Sequence, residues 1–395
     1  MNRSKIISVA AITTIVGTFA YFFTMQCLKL AEPHKYTQDR VPAKPPKAAE
    51  KSHVWNEETK KEVSLVPERD IFADCVKHNC PTILIQSSID GGFWVKDTAI
   101  YPLKGRKVVL KVDRVPEAKI RWYQIIPDIS KIYKNANFPW EKDPYKWVGL
   151  AKIDYHRKEL TKFREHWQIK PFDDENDPEV RDKESSSYRS SPDKTANSRL
   201  YHKEVGSFWF QAEIAQEGKI YRSPGIEDSD ERGLSPKVFR VSIRDGNGYI
   251  GYLTSFFNVP GLFGSITYQS SNYIGTDCAD VLMAAYGKWK NKPITKNYNV
   301  AMLVSQWRHV EEFDILQGTP DKHLKWAGDI NPGDFIAVRY SGSKQYQHIG
   351  ALFKDVNKDG LLDGGDIVIH AGPAPLHCSY IREGNFDGHV VILRP

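Results

Sequence analysis

The sequence predicts an α+β fold, and three observations lead there. Residues 258–395 place helix-forming segments first and β-type segments after them, the α+β order. Residues 66–257 run as short β-branched and aromatic stretches separated by turn signals. The 395 residues, 41% hydrophobic and 26% charged, have a globular balance and suffice for two or three domains. The net charge of +6 is modest and contains no Lys/Arg block, so nothing in it calls for nucleic acid as a partner.

The chain opens with Arg3 and Lys5 before "IISVAAITTIVGTFAYFFTM", residues 6–25, twenty positions without a charge. At about 1.5 Å per helical residue that length matches a hydrocarbon core. Residues 1–30 are therefore expected to anchor the chain in a membrane, with a cleaved signal as the alternative. The Pro/Lys/Ala-rich residues 31–65 read as a solvated tether. The body is then expected in the cell envelope, outside the cytoplasm, or secreted. Export makes disulfides possible, and Cys75 and Cys80 in "DCVKHNC" are spaced for a local bridge. Cys27, Cys278 and Cys378 have no obvious partner.

In residues 66–257 the strand-like runs are "TILIQSS", "RKVVLKVDRV", "KIRWYQIIP" and "GSFWFQAEI". They suggest an antiparallel sheet, with an immunoglobulin-like sandwich as one arrangement. "DYHRKELTKFREHWQI" reads as a helix or an ordered arm. Residues 173–198 have almost no apolar side chains and read as a disordered loop. "KVFRVSIRDGNGYIGYLTSFF" reads as a hairpin turning at "DGNG". No set of catalytic residue types stands out here, and its Trp and Tyr read as core.

From residue 258 on, the chemistry-bearing residues gather. Thr276 or Asp277 can cap the helix that Cys278 opens, which would set N–H groups and the positive dipole end beside the sulfur. Such a site favours the thiolate, although free cysteine is equally at home as a small buried hydrophobe. A second helix is expected over "NVAMLVSQWRHVEEF". His348 then lies in the β-type "QHIGALF" and His370 in the next one, "IVIHAG". A nucleophilic thiol needs a base, and the base needs a polar partner to fix its tautomer. One cysteine and two histidines on neighbouring strands supply those roles. His377 and Cys378 form a further pair with too few ligands in view for a metal site.

Four segments occur in order: "GTDCADVLMAAYG", "INPGDFIAVRY", "HIGALF" and "VIHAG". Over residues 260–395 they resemble the NlpC-type cell-wall cysteine peptidases, which implies a papain-like domain. The resemblance implies Cys278 as nucleophile, His348 as general base and His370 as the orienting third residue. It also implies amide bonds of peptidoglycan stem peptides as substrate. An upstream tyrosine often assists the oxyanion in that family, and Tyr268 and Tyr273 both qualify. Asp277 is a further candidate on the substrate side. Ala279 and Asp280 replace the family's usual Ser-Gly after the cysteine.

Between the histidines lies "DVNKDGLLDGGD", residues 355–366, which fits the calcium-loop template. Asp355, Asn357, Asp359, the Leu361 carbonyl, Asp363 and Asp366 hold the ligand positions, and Gly360 the sharp turn. Calcium is therefore the expected cofactor, in a closed hairpin. A hairpin symmetric about this loop would offset the histidines by three residues, roughly 10 Å at about 3.3 Å each. For both to serve one site, the ladder must be asymmetric. The expected function is an exported cysteine peptidase. The alternatives are an amidase or acyltransferase acting on another cell-surface amide, and a calcium-stabilised adhesion or wall-binding protein with an inactive domain.

Overall fold

The computed structural model describes residues 83–112, 119–134, 153–160, 167–169, 200–216, 218–230 and 233–395. All of them belong to the unit Val66–Pro395. The expected anchor, tether, 173–198 loop and Cys75–Cys80 bridge lie outside the described residues, as does Cys27. Among the described residues no helix is long and apolar enough to cross a membrane.

The fold is α+β and strand-rich. A seven-stranded antiparallel sheet runs in the order Thr319–Pro320, Arg308–Leu316, Gly388–Arg394, Phe335–Arg339, His348–Lys354, Ile367–His370, His377–Tyr380. Strand alternation divides its side chains between two cores. Phe335, Ala337, Ile349, Ala351 and Ile369 pack with Val281, Leu282, Met283 and Ala285 of the helix Cys278–Trp289. Ile336, Val338, Leu352, Val368 and Ile392 face the other way, onto Ile381 and Phe386. The helix-side cluster also takes in Phe208, Phe210, Val241, Phe256 and Phe257 from the preceding region. Burying one such side chain contributes about 1.5–3 kcal/mol.

That preceding region builds a second sheet in the order Ala99–Ile100, Phe239–Ile243, Gly206–Gln216, Lys119–Pro127, Tyr155–Glu159, with Lys219–Arg222 paired onto Gly206–Gln216. Strands Ile85–Ile89, Val108–Val112 and Trp167–Ile169 form a third.

Three local expectations are corrected. The described residues of "DYHRKELTKFREHWQI" are strands and not the helix of the two alternatives: Tyr155–Glu159 adds to the edge of Lys119–Pro127, and Trp167–Ile169 pairs with Val108–Val112. Pairing at an open sheet edge overrides helical propensity there. "DGNG" does not close a hairpin. Strand Phe239–Ile243 is followed by the helix Tyr249–Thr254, whose Tyr249 and Leu253, four apart, are both buried. The second helix after Cys278 stops at Gln306, and Arg308–Leu316 is a strand paired with Gly388–Arg394.

Candidate active site and calcium-type loop

Helix Cys278–Trp289 begins where the sequence places it. Asp277 is the N-cap, and its Oδ1 accepts from Cys278 N at 2.8 Å while Oδ2 accepts from Gly264 N at 2.8 Å. The chain leaving Ile367–His370 passes close over this helix start. A Cβ on Gly372 would collide with Asp277 Oδ1 and lie 3.5 Å from Cys278 N, and φ there is +90°. Only glycine suits that crossing.

The two histidines meet. The ladder between His348–Lys354 and Ile367–His370 shifts register between Leu352 and Lys354, so His370 pairs with Gly350. This bulge is the asymmetry that a shared site requires. It leaves an offset of two residues, which sets both rings on one face of the sheet. His348 Nε2 and His370 Nδ1 are 2.9 Å apart, and His370 Nε2 is 2.8 Å from Ser379 Oγ on the next strand. Gly350 makes room for the pair, since a Cβ there would lie 2.9 Å from His370 Cβ. Phe386 closes the other side, 5.3 Å from each ring.

Cys278 comes in beside this pair. The N–H groups of Ala279 and Ile349 lie near enough to the sulfur to favour its thiolate, which sets the thiol in the neighbourhood of the residue next to His348. Nδ1 of His348 is not engaged by His370. Among the described residues no hydrogen bond joins Sγ to either imidazole.

The electrostatics differ from the expectation of a helix-start thiolate. Burial pushes the Cys278 thiol well above its ordinary range, and the neighbouring Asp277 carboxyl adds to this. Burial likewise pulls His348 down to about 4, with His377 adding, and His370 further below its usual range. Desolvation outweighs the helix dipole, and the resting site is thiol and imidazole, both neutral.

The other candidates separate. Tyr273 is buried, its hydroxyl 2.9 Å from Ser255 Oγ and its ring stacked on Phe256 at 4.0 Å. Tyr268 is 49% exposed. Asp277 has both oxygens on backbone N–H groups, and burial raises its carboxyl. His377 and Cys378 diverge: His377 lies 4.3 Å from the His370 ring, whereas Cys378 packs into the helix-side core. Two residues had not been singled out from the sequence. Ser379 alternates with His377 along one strand, and that period was the available signal. His202 stacks on Phe257 at 3.7 Å, feels the charge of His377 and is held by burial down to about 4. No local motif marks it.

The loop 355–366 folds on itself. Asp355 Oδ1 accepts from Lys358 N (2.7 Å) and Oδ2 from Gly360 N (3.0 Å). Asn357 Nδ2 donates to Asp359 Oδ2 (3.0 Å) and Asp363 Oδ2 (2.9 Å), so three ligand positions converge on one spot. Asp366 turns elsewhere. Its Oδ2 accepts from Trp326 Nε1 (2.9 Å) and Asp363 N (3.1 Å), and its Oδ1 from Val356 N (3.2 Å). Among the described residues no three His, Cys, Asp or Glu side chains are gathered as a metal site, because here an amide stands between the carboxylates. Asn357 Oδ1 meanwhile accepts from Asp359 N at 3.2 Å, so the side-chain oxygens of Asp355, Asp359 and Asp363, with the Leu361 carbonyl, are the hard donors that the loop offers a cation.

Comparison of the chain with known protein families, with curated proteins and with solved structures finds no match.

Proposed function

We propose that the protein is a cell-envelope cysteine peptidase of the NlpC type, with a papain-like domain, acting on amide bonds of peptidoglycan stem peptides. The observation that carries the reading is the line from Cys278, at its helix start, past the Ile349 N–H to the hydrogen-bonded His348, His370 and Ser379. The four-segment resemblance over residues 260–395 supplies the substrate class, and the apolar segment 6–25 the membrane.

The chemistry starts from neutral partners. If Ser379 accepts from His370 Nε2–H, then His370 Nδ1 accepts from His348 Nε2–H, and His348 Nδ1 keeps its lone pair. That nitrogen takes the thiol proton as Sγ bonds to the substrate carbonyl carbon. The tetrahedral oxyanion collapses to a thioester, and the departing amine takes the proton from His348. Water then attacks the thioester, passing a proton to His348, and release of the acid restores the thiol. Cys278, moved into closer contact with His348 by the arriving substrate, is the only bond-forming side chain required.

Calcium would be held by Asp355, Asp359 and Asp363 with the Leu361 carbonyl, while Asp366 ties the loop to Trp326. Its part is structural: it fixes the hairpin whose bulge brings His370 level with Gly350.

The upward shift of the half-buried Cys278 thiol favours one alternative, a calcium-stabilised wall-binding protein whose papain-like domain is inactive. Mass spectrometry of muropeptides incubated with wild type and Cys278→Ala separates the two. Peptidase activity gives new stem-peptide fragments with wild type and none with the variant. Unchanged muropeptides, together with slow iodoacetamide labelling of Cys278 in their presence, would favour the binding protein.

A further inference from the structure

A second polar cluster lies at the other end of the Cys278–Trp289 helix, and the chemistry above does not use it. Arg240 is 5% exposed. Its Nε donates to Ser242 Oγ (2.9 Å), Nη1 to Asn272 O (3.1 Å) and Nη2 to the Tyr101 hydroxyl (2.9 Å). The guanidinium lies 3.8 Å from the centre of the Tyr273 ring. Every one of these partners is formally neutral. Lys288, in the last turn of the helix, places its Nζ 5.4 Å from the centre of the Tyr101 ring. Arg244 adds a third cation, donating from Nε to Tyr101 O at 2.9 Å. Among the described residues none of the three forms an ion pair.

A buried cation without a counter-charge is costly, and a second cation beside the same phenol compounds that cost. Such a cluster persists where something negative completes it. Tyr101 reports the local potential: burial alone would raise its phenol, yet Arg240 and Lys288 together bring it below the ordinary tyrosine value. The cluster is also reachable. Tyr101, Asn272 and Lys288 are partly exposed, with Arg240 beneath them.

We propose that Arg240, Lys288 and the Tyr101 hydroxyl form a binding site for a small oxyanion, a carboxylate or a phosphate group. Arg240 supplies a planar fork suited to either, and Lys288 a point charge at the mouth. The site joins two parts of the chain. Tyr101 and Arg240 come from the parallel pair in which Arg240 lies beside Ala99, while Asn272 and Lys288 flank and end the helical segment. A bound anion therefore cross-links them, and this holds whether or not Cys278 is a nucleophile.

Calorimetry on the full chain decides it, with inorganic phosphate and acetate each titrated against chloride at equal ionic strength. The expected result is saturable one-site binding of at least one of the two, the tighter one naming the ligand class, accompanied by a rise in Tm. Lys288→Gln, at a half-exposed position, should weaken that binding about tenfold, the worth of a charged hydrogen bond. Arg240→Gln should abolish it, and if that variant does not fold, Lys288→Gln alone is decisive. The proposal is overturned if neither anion binds beyond chloride, or if Lys288→Gln binds as wild type does. A phenolate absorbance at neutral pH that vanishes in Tyr101→Phe would also overturn it, because Tyr101 would then be its own counter-charge.

Discussion

The two ends of the helix Cys278–Trp289 bury polar groups in opposite ways. At its start, Cys278, His348 and His370 are all driven to their uncharged forms, and the two imidazoles and Ser379 satisfy one another. At its end, Arg240 is buried with Lys288 nearby, and none of Arg240's hydrogen-bond partners is a carboxylate. Arginine cannot shed its proton, so burial there leaves a standing field. Histidine and cysteine can, so burial leaves a neutral, hydrogen-bonded chain, along which a proton passes in the proposed reaction. The same desolvation yields a proton relay from one set of residue types and an anion trap from the other.

Acid gives the largest test of this contrast. His348 and His202 are each held at about 4, against about 6.5 for the unfolded chain. Between those values the unfolded chain binds more protons, so stability is full above about pH 6.5 and falls as pH drops toward 4. Each histidine then contributes of order 3 kcal/mol of loss, with no further change from this source below pH 4. The cationic cluster contains no histidine and no carboxylate. Denaturant unfolding measured across that window should therefore lose the share of these two histidines from its slope with pH in a His202→Gln, His348→Gln double variant, the remainder coming from His370 and His377, which burial also lowers. The slope should be unchanged in Lys288→Gln. Equal slopes in all three proteins would remove the distinction between the two ends.

Calcium should act on one end only. At a hundredfold excess over its Kd, a ligand that binds only the folded state adds about 2.7 kcal/mol. Chelation should lower Tm by several degrees and reduce turnover with it, because the loop adjoins the bulge that brings the histidines together. Phosphate or acetate affinity at Arg240 should be unaffected. A chelator that leaves both Tm and turnover unchanged would show that the loop holds itself together through Asn357 and Asp366, without metal.

The sequence made the start of the helix largely legible and its end almost not at all. Asp277, Cys278, the strand histidines and the twelve-residue loop are local patterns, and each sits on the element expected of it. The offset of His348 and His370 could even be turned into a requirement for a bulge. What failed was whatever tertiary pairing decides. "DGNG" leads into a helix because Tyr249 and Leu253 have a core to enter, and Tyr155–Glu159 is a strand because a sheet edge lies open to it. Burial could not be read either, so the thiol was expected to be acidic and is the reverse. Arg240 shows the limit most plainly: a missing counter-charge is a property of the packed neighbourhood, and no spacing in the chain encodes it.

Ser379 offers the smallest and most specific test of the relay. Its Oγ can accept from His370 Nε2–H or donate to a bare Nε2, and the two choices leave His348 Nδ1 without or with a proton. Only the first prepares His348 to receive one from Cys278. Ser379→Ala removes the acceptor and leaves a buried N–H to find another, a loss of about 1–3 kcal/mol shared between stability and the tautomer balance. Turnover should fall about tenfold at its optimum with KM little changed, since the serine does not touch substrate. Ser379→Thr keeps the hydroxyl and should recover most of the rate. A merely structural serine would instead lower Tm in the alanine variant while leaving kcat per folded molecule at the wild-type value, and the relay would then end at His370.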